Sequence, residues 1–516
     1  RARLGIPEEH VRALGRLPLP PGPDALERAA ASQLFLREAA RLHTVVAPED
    51  RGHIVAICRL VHGLPLAILI AAGWLRTLSC AQIARELERG GHLLKEPAQR
   101  RPDRRESLQA ILAFAWRNLP ARERRALRSL VVLAGQFDHP AVAAIGIDLA
   151  SLRTLAEHAL IERAEGERYQ LHPLIRQYGT EQLARWPREE ARARVRHAAH
   201  YAALVARMTP ELSERPEAHA TLGADRANLL IAWEWAVAHQ DLALLARMRV
   251  GLALWHQLRG LHREWADVLE EAIARLRAAG QGAPDPALAV TLGWLLADAA
   301  DALHWQGEAE RVFRQLAEAR RYARALTMLP LDGYISLYEG RELHFQGDAR
   351  GASAQLQQAL TLSRALVDRR LEADALRMLS VVSTHLGDHA EAETSLRLAE
   401  DAYRELGDRQ VLGLLALRRG MVGLMRADLT RARIDLEQGL HSAREFGHTS
   451  REGWAHAFLG VICDRDGGNR QEAEEHFLRA LAIAQETREP RQEAYALRVR
   501  GEGALRAGDL ALAEPS

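Results

Sequence analysis

Twenty-two histidines, three cysteines and one lysine are the residues of this 516-residue chain whose types suggest chemistry, and their spacing narrows what it can be. Lys95 is followed by Glu96 in a polar stretch, Lys95 to Glu106 (KEPAQRRPDRRE), that reads as a linker. It cannot close a GxxxxGK[ST] loop, whose lysine meets the β- and γ-phosphates of a nucleotide. No run of four apolar residues ends in a paired aspartate, so the strand that would hold magnesium is lacking too. The chain as given is therefore expected not to be an enzyme, and no residue is singled out as catalytic. The histidines form no HExxH, no HxH with a nearby carboxylate and no cluster with cysteine, so no metal site is expected. His197 and His200 share a helical face, but the charge around them reads as a solvated surface. Cys58, Cys80 and Cys463 lie far apart without a CxxC spacing, which argues against disulfides and fits a reducing, cytoplasmic compartment.

The elements that must position these residues are helices. Ala, Leu, Arg and Glu dominate, while β-branched and aromatic residues are sparse. The apolar fraction of 48% and charged fraction of 27% are those of an ordinary globular protein, and a net charge of +1 excludes a general polyanion binder. The near-absence of lysine reads as the base composition of a GC-rich genome. A chain this long exceeds one core, so three or four domains are expected. No stretch approaches the roughly 18–20 apolar residues of a membrane span; the longest candidate runs from Gly63 to Leu75. The chain opens at Arg1 in mid-pattern and reads as a piece of a longer protein.

A repeat dominates the C-terminal part. Gly307-Glu308, Gly347-Asp348, Gly387-Asp388, Ala427-Asp428 and Gly467-Gly468 recur every 40 residues, with Gly508-Asp509 following. Seven positions before each dipeptide stands a small residue: Ala300, Gly340, Ser380, Gly420, Gly460 and Gly501. Behind it come a leucine ladder, Leu316, Leu356, Leu396 and Leu436, and small residues at Ala319, Ala359, Ala399 and Gly439. A glycine closes one helix in the left-handed conformation and the acid after it caps the next. Small residues let the two axes approach, leucines fill the space between, and such hairpins must stack to bury their apolar faces. The spacings resemble the tetratricopeptide repeat in a longer-looped form. Ala427 should show a strained positive φ or a rebuilt turn. A looser unit surrounds Gly260, with Trp265, Leu269 and Ala272, and Gly280 to Pro286 is its loop; Ala191 to Arg259 reads as continuously helical.

On the first helix of each hairpin, Trp294, Tyr334 and Trp454 are expected on the inner face, with His304, His344, Arg341 and Arg377 nearby. They read as a groove for a partner or as packing between repeats.

Before the repeats, helices are expected at Asp24 to Leu42, Pro48 to Val61 and Leu66 to Arg76. Further helices follow at Ser107 to Asn118, Ala121 to Ala134 and Leu149 to Ala159. A hairpin of Leu160 to Ala164 with Arg168 to Leu171, turned at Glu165-Gly166, follows them. Three helices and a hairpin is the order of a winged helix. Its expected recognition helix offers DNA only Arg153 and His158, and the run Arg122, Arg124, Arg125 and Arg128 reads as a solvated face, so no direct nucleic-acid binding is expected.

GLPLA at Gly63 to Ala67, the exit LHPLIRQYG at Leu171 to Gly179 and the repeats behind it resemble the STAND signalling ATPases of the NB-ARC group, in the bacterial transcriptional-regulator form. The resemblance covers nearly the whole chain. It implies a mainly α fold: a nucleotide-binding remnant at 1–22, a helical ARC-like subdomain at 23–98, a winged helix at 99–188 and a tetratricopeptide superhelix at 189–516. It implies that Pro65 lies against adenine and that His172 reaches the β-phosphate of ADP, with Pro173 where the family motif has aspartate. Arg1 resembles the remnant of a sensor arginine. ADP or ATP would be held by a longer parent, with the P-loop and output domains lying outside this chain. The superhelix would sense a protein or small-molecule inducer, and no membrane is implied. A scaffold of tetratricopeptide repeats with no nucleotide role is the competing expectation.

Overall fold

The computed structural model describes residues 17–92, 104–280, 285–466, 470–487 and 489–506. They form two compact units, 1–200 and 201–516, and are almost wholly helical.

The first unit begins with Ala30–Arg41, Arg51–Leu60, Pro65–Gly73 and Cys80–His92. Alternate helices pack together, the first on the third and the second on the fourth. The helix expected from Asp24 is broken at Ala29, which is extended; the Ser32 hydroxyl donates to Leu26 and Ala29 carbonyls at 2.6 and 3.0 Å and holds the break. The helix Cys80–His92 is an addition to the sequence reading. Its signal was present, because Ser79 and Gln82 exchange side-chain and backbone bonds as a capping box. GLPLA is punctuation with a steric reason. Gly63 closes the preceding helix at φ +64, and a Cβ there would stand 2.4 Å from the Leu17 carbonyl oxygen.

Next come Arg104–Asn118, Ala121–Leu130, His139–Ala144 and Leu149–Glu157, with three two-residue strands: β1 (Gln136–Phe137), β2 (Glu162–Arg163) and β3 (Tyr169–Gln170). The sheet order is β1-β3-β2, antiparallel throughout, with Phe137 opposite Tyr169 and Arg163 opposite Tyr169. The expected hairpin is thus the β2–β3 pair, while β1 and the helix His139–Ala144 are additions. The helix expected to reach Ala134 stops at Leu130. Gly135 turns left-handed at φ +52, and the Asp138 carboxylate accepts from the Ala141 amide at 2.9 Å to start the short helix.

In the second unit the stretch read as continuous is four helices, Pro187–Glu211 (which begins in the first unit), Pro216–Ala224, Arg226–Ala238 and Leu242–Leu258. Pro216 starts one of them, and Gln240, left-handed at φ 51, ends another before the Asp241 cap. His262–Ala279 then completes the looser unit around Gly260, whose φ is +68.

Five hairpins follow: hairpin 1 (Pro286–His304, Ala309–Ala325), hairpin 2 (Leu329–Phe345, Ala349–Leu366), hairpin 3 (Arg369–His385, His389–Glu405), hairpin 4 (Arg409–Met425, Leu429–Glu445) and hairpin 5 (Thr449–Arg465, Arg470–Thr487). Pro490–Arg506 leads on from them. Gly307, Gly347 and Gly387 all turn left-handed, and Ala427 does so at φ +59, the strain expected of it. Asp348, Asp388 and Asp428 cap the following helices through amides three residues on; Gly467-Gly468 and Gly508-Asp509 lie outside the described residues. The small residues meet the knobs as anticipated: a Cβ on Gly340 would lie 2.8 Å from Leu356, on Gly420 2.5 Å from Leu436, and on Gly460 2.5 Å from Phe477. Between hairpins the same step recurs half a period later, at Thr327, Val367, Gly407 and Gly447, all left-handed. The repeat is therefore two 20-residue steps.

Pro286–His304 is the one helix among the described residues long and apolar enough to cross a membrane, a candidate the sequence reading did not name. Its apolar window is 61% buried among neighbouring helices.

Candidate ligand groove and nucleotide clamp

The leading helices of hairpins 1 and 2, 2 and 3, and 4 and 5 pack on one another, while trailing helices meet far less, so the leading side is the inside of the curve. On the register of Trp294 the inner face reads Trp294, Tyr334, Asp374, Leu414 and Trp454; four residues on it reads Asp298, Tyr338, Met378, Arg418 and Phe458.

Trp294 and Tyr334 meet edge to face at 5.7 Å, and Tyr338 stands 6.2 Å from Tyr334. The Arg249 guanidinium lies 4.4 Å over the Trp294 ring and is bonded to Asp298 at 2.7 and 2.8 Å. Arg341 is buried, paired with Asp301 at 2.6 Å and set over Tyr338 at 5.3 Å, while its Nε and Nη2 find no partner. Trp454 packs on Phe458 and Tyr495. Arg377 keeps a fifth of its side chain exposed, 3.5 Å from Asp374.

His304 belongs to the packing between repeats. It is buried, and its Nδ1–H donates to the Glu342 carboxylate at 2.5 Å. Burial first, then the nearby Arg341 cation, lowers its pKa, so the ring is neutral and the tautomer is set by that bond. His344 stacks on His385 at 4.6 Å, and burial, His385 and Arg418 push it down to about 4. Sequence reasoning passed over Arg249, Tyr338, Arg418 and Arg451. The first lies outside the five hairpins, and the others stand at positions with no shared residue type.

In the first unit Pro65 and His172 each open a helix. Pro65 is exposed at the start of its helix; His172 caps Pro173–Leu183, its Nδ1 accepting from the Leu174 amide at 3.3 Å. Burial lowers the His172 pKa, so the ring is neutral and the hydrogen sits on Nε2. Arg1 lies outside the described residues.

Two arginines of the basic run are engaged. Arg122 pairs with Asp148 at 2.6 Å, and Arg128 pairs with Glu189 at 2.8 Å with Trp186 4.8 Å away. His158, one of the two groups available for DNA, is buried and bonded to the Thr154 carbonyl at 2.8 Å. His197 is buried at 2% exposure, which corrects its reading as part of a solvated face. Cys463, Glu472 and His476 come within 4.8 Å of one another, a grouping their spacing did not suggest. Arg433 reaches the Cys463 sulfur at 3.4 Å and the Glu472 carboxylate at 3.3 Å, and His456 takes Nδ1 of His476 at 2.8 Å, so neighbours already use all three.

No family model matches the chain. A Mycobacterium tuberculosis protein named, by inference, an HTH-type transcriptional regulator is 29% identical over 220 residues, 40% of this chain and 25% of its own length. A second protein of that organism, uncharacterized, is 30% identical over 168 residues, 30% of this chain and 43% of its own. The chain thus spans about a quarter of the length of the regulators it matches. Among solved structures, a STAND protein with a tetratricopeptide repeat sensor from Pyrococcus horikoshii aligns with 94% of this chain and 70% of its own, at 15% identity and a TM-score of 0.48. A Rap protein complexed with competence and sporulation factor aligns with 62% of this chain and 93% of its own, at 13% identity and 0.40. Likeness at this level does not extend to shared function.

Proposed function

We propose that this chain is the sensory and coupling part of a STAND-type transcriptional regulator. The superhelix binds a peptide or protein inducer on its inner face, and that binding biases a nucleotide switch through the module that ends at His172. The observation that carries the reading is the inner face itself. Stacking needs only the small residues and the knobs, yet the inner positions hold Trp294, Tyr334, Tyr338 and a series of arginines. Half-buried aromatic and guanidinium groups side by side are the chemistry of protein recognition. The regulators matched in sequence support the transcriptional part, and the order of GLPLA, the β2–β3 hairpin and the His172 exit supports the switch.

For the nucleotide, a neutral His172 with its hydrogen on Nε2 suits donation to a phosphate oxygen, and Pro65 offers an exposed flat ring for a base. The triphosphate's own chemistry would come from a P-loop that this chain does not contain. An inducer acts only through different affinities for the two switch states.

The test uses a longer regulator carrying this chain, with a transcriptional reporter. Trp294→Ala with Tyr334→Ala should abolish induction while leaving the folded fraction unchanged, and His172→Ala should release ADP and raise uninduced output. Induction indifferent to the groove variants removes the sensor role. ADP retention unchanged by His172→Ala removes the clamp and leaves the scaffold reading.

A further inference from the structure

Stacked hairpins share a backbone, but their inner charges do not balance alike. Near hairpins 1 and 2, Arg249 is matched by Asp298 and Arg341 by Asp301. At hairpins 3 and 4 and the start of hairpin 5, three guanidinium groups, Arg370, Arg377 and Arg451, share two carboxylates, Asp374 and Asp408, and a fourth, Arg418, stands near Arg377. Arg370 takes Asp408 at 2.6 Å and one oxygen of Asp374 at 3.3 Å. The other Asp374 oxygen accepts the Tyr403 hydroxyl at 2.6 Å, leaving Arg377 at 3.5 Å. Among the described residues Arg451 has one hydrogen bond, to the Gln410 carbonyl at 3.5 Å. Arg418 has no hydrogen bond or ion pair among the described residues.

Protonation follows this imbalance. Burial and the Arg377 cation push Arg418 down to about 10, and the same two causes bring Arg451 to about 10. Arg249, although burial opposes its charge, is raised by Asp298.

The packing opens at the same place. The leading helices of hairpins 3 and 4 meet less than those of other neighbours, one hydrophobic cluster reaches Leu415, and a separate one begins at Leu417. A cleft of about 300 Å³ lies there, with Arg418 in its lining. Its carboxylates are committed. Glu400 and Asp435 hold Arg419, Glu393 holds Arg426, and Asp428 caps its helix. Arg418 is half-buried and borders the cleft, and a guanidinium is shaped to take an oxyanion through two parallel bonds.

We propose that the junction of hairpins 3 and 4 is an oxyanion site, at which Arg418, with Arg377 beside it, receives a carboxylate or phosphate of the superhelix's ligand. This deepens the sensor reading and rests on it. The inducer is then acidic, with its anion at this junction.

Calorimetric titration of the full chain at low salt tests this with three probes: inorganic phosphate, a capped tripeptide with a central glutamate, and its glutamine counterpart. Saturable binding of phosphate or of the glutamate peptide is expected, with the glutamine peptide at least tenfold weaker. Arg418→Gln should weaken the anion at least tenfold, Arg418→Lys only a few fold, and Arg404→Gln on the outer surface not at all. Phosphate binding more tightly than the peptide identifies a phosphorylated ligand; the reverse identifies an acidic peptide. If Arg418→Gln fails to melt cooperatively, Arg377→Gln serves in its place. No saturable binding of either anion, or binding unchanged in these variants, overturns the site. Induction that still depends on Trp294 and Tyr334 would then leave the sensor reading standing.

Discussion

Hairpins 1 and 2 and hairpins 3 and 4 follow one 40-residue stride, yet the inner face is neutralised at the first pair and left cationic at the second. Near the first pair a guanidinium lies between Trp294 and Asp298; at the second, Arg418 lines the cleft half-buried, with no ion pair among the described residues. The difference separates two layers of constraint. Turns and knobs are fixed by stacking and repeat with the stride, whereas inner positions share no residue type: Met378 and Phe458 pack in the core, while Arg418 lines the cleft.

The comparison breaks most easily at Asp298. Asp298→Ala strands the nearly buried Arg249 and should cost about 3 kcal/mol, read as a fall in the denaturation midpoint; an unchanged midpoint would mean the first pair is not neutralised by this contact. The stride is next. Gly340→Ala drives a Cβ to 2.8 Å from Leu356 and 3.1 Å from the Ala352 carbonyl, and Gly420→Ala does the same at 2.5 and 3.1 Å. Each should lose about 2 kcal/mol, and unequal losses would show that the two halves do not pack alike.

Acid sharpens the contrast further. The folded pKa of His344, about 4, lies below its unfolded value of 6.5, so the unfolded chain takes up the proton first. Stability present above pH 6.5 is lost as pH falls toward 4, and His344→Leu should reduce that slope by at most about 1.4 kcal/mol per pH unit. A slope that is unchanged in urea titrations would remove His344 from the acid response. In the opposite direction, Arg418→Met should stabilise the fold by about 0.5 kcal/mol, because a half-buried cation without an ion pair is exchanged for an apolar chain of similar length. A loss would mean the guanidinium is satisfied. An equally small effect is expected at Ala427→Gly, which relieves the left-handed strain for a net gain of about 0.5 kcal/mol after glycine's entropy is counted; a rise in the melting midpoint would register it.

Much of the fold was legible because glycine and aspartate mark bends chemically. Gly347-Asp348 and Gly387-Asp388 announced theirs, whereas Thr327 and Val367 turn left-handed without any residue that favours it, so the half-period step was missed. Strands of two residues are shorter than any alternation, and β1 therefore left no pattern. The groove was half legible. Trp294, Tyr334 and Trp454 stand on the inner register, while His304 turned inward because Glu342 waits one hairpin on, 38 residues away in sequence. Arg418 gave no signal at all. What distinguishes it is the absence of a carboxylate within reach, a property of neighbours in space that spacing along the chain does not encode.

Hydrogen–deuterium exchange of the whole chain, with and without a saturating capped glutamate peptide or phosphate, bears most directly on the claim that the inner face is a ligand site with its anion at hairpins 3 and 4. Slowed exchange is expected in Arg369–His385 and Arg409–Met425, with Pro286–His304 unaffected by phosphate and slowed only by the peptide. Exchange that is indifferent to both probes, or slowed equally along every hairpin, would contradict it.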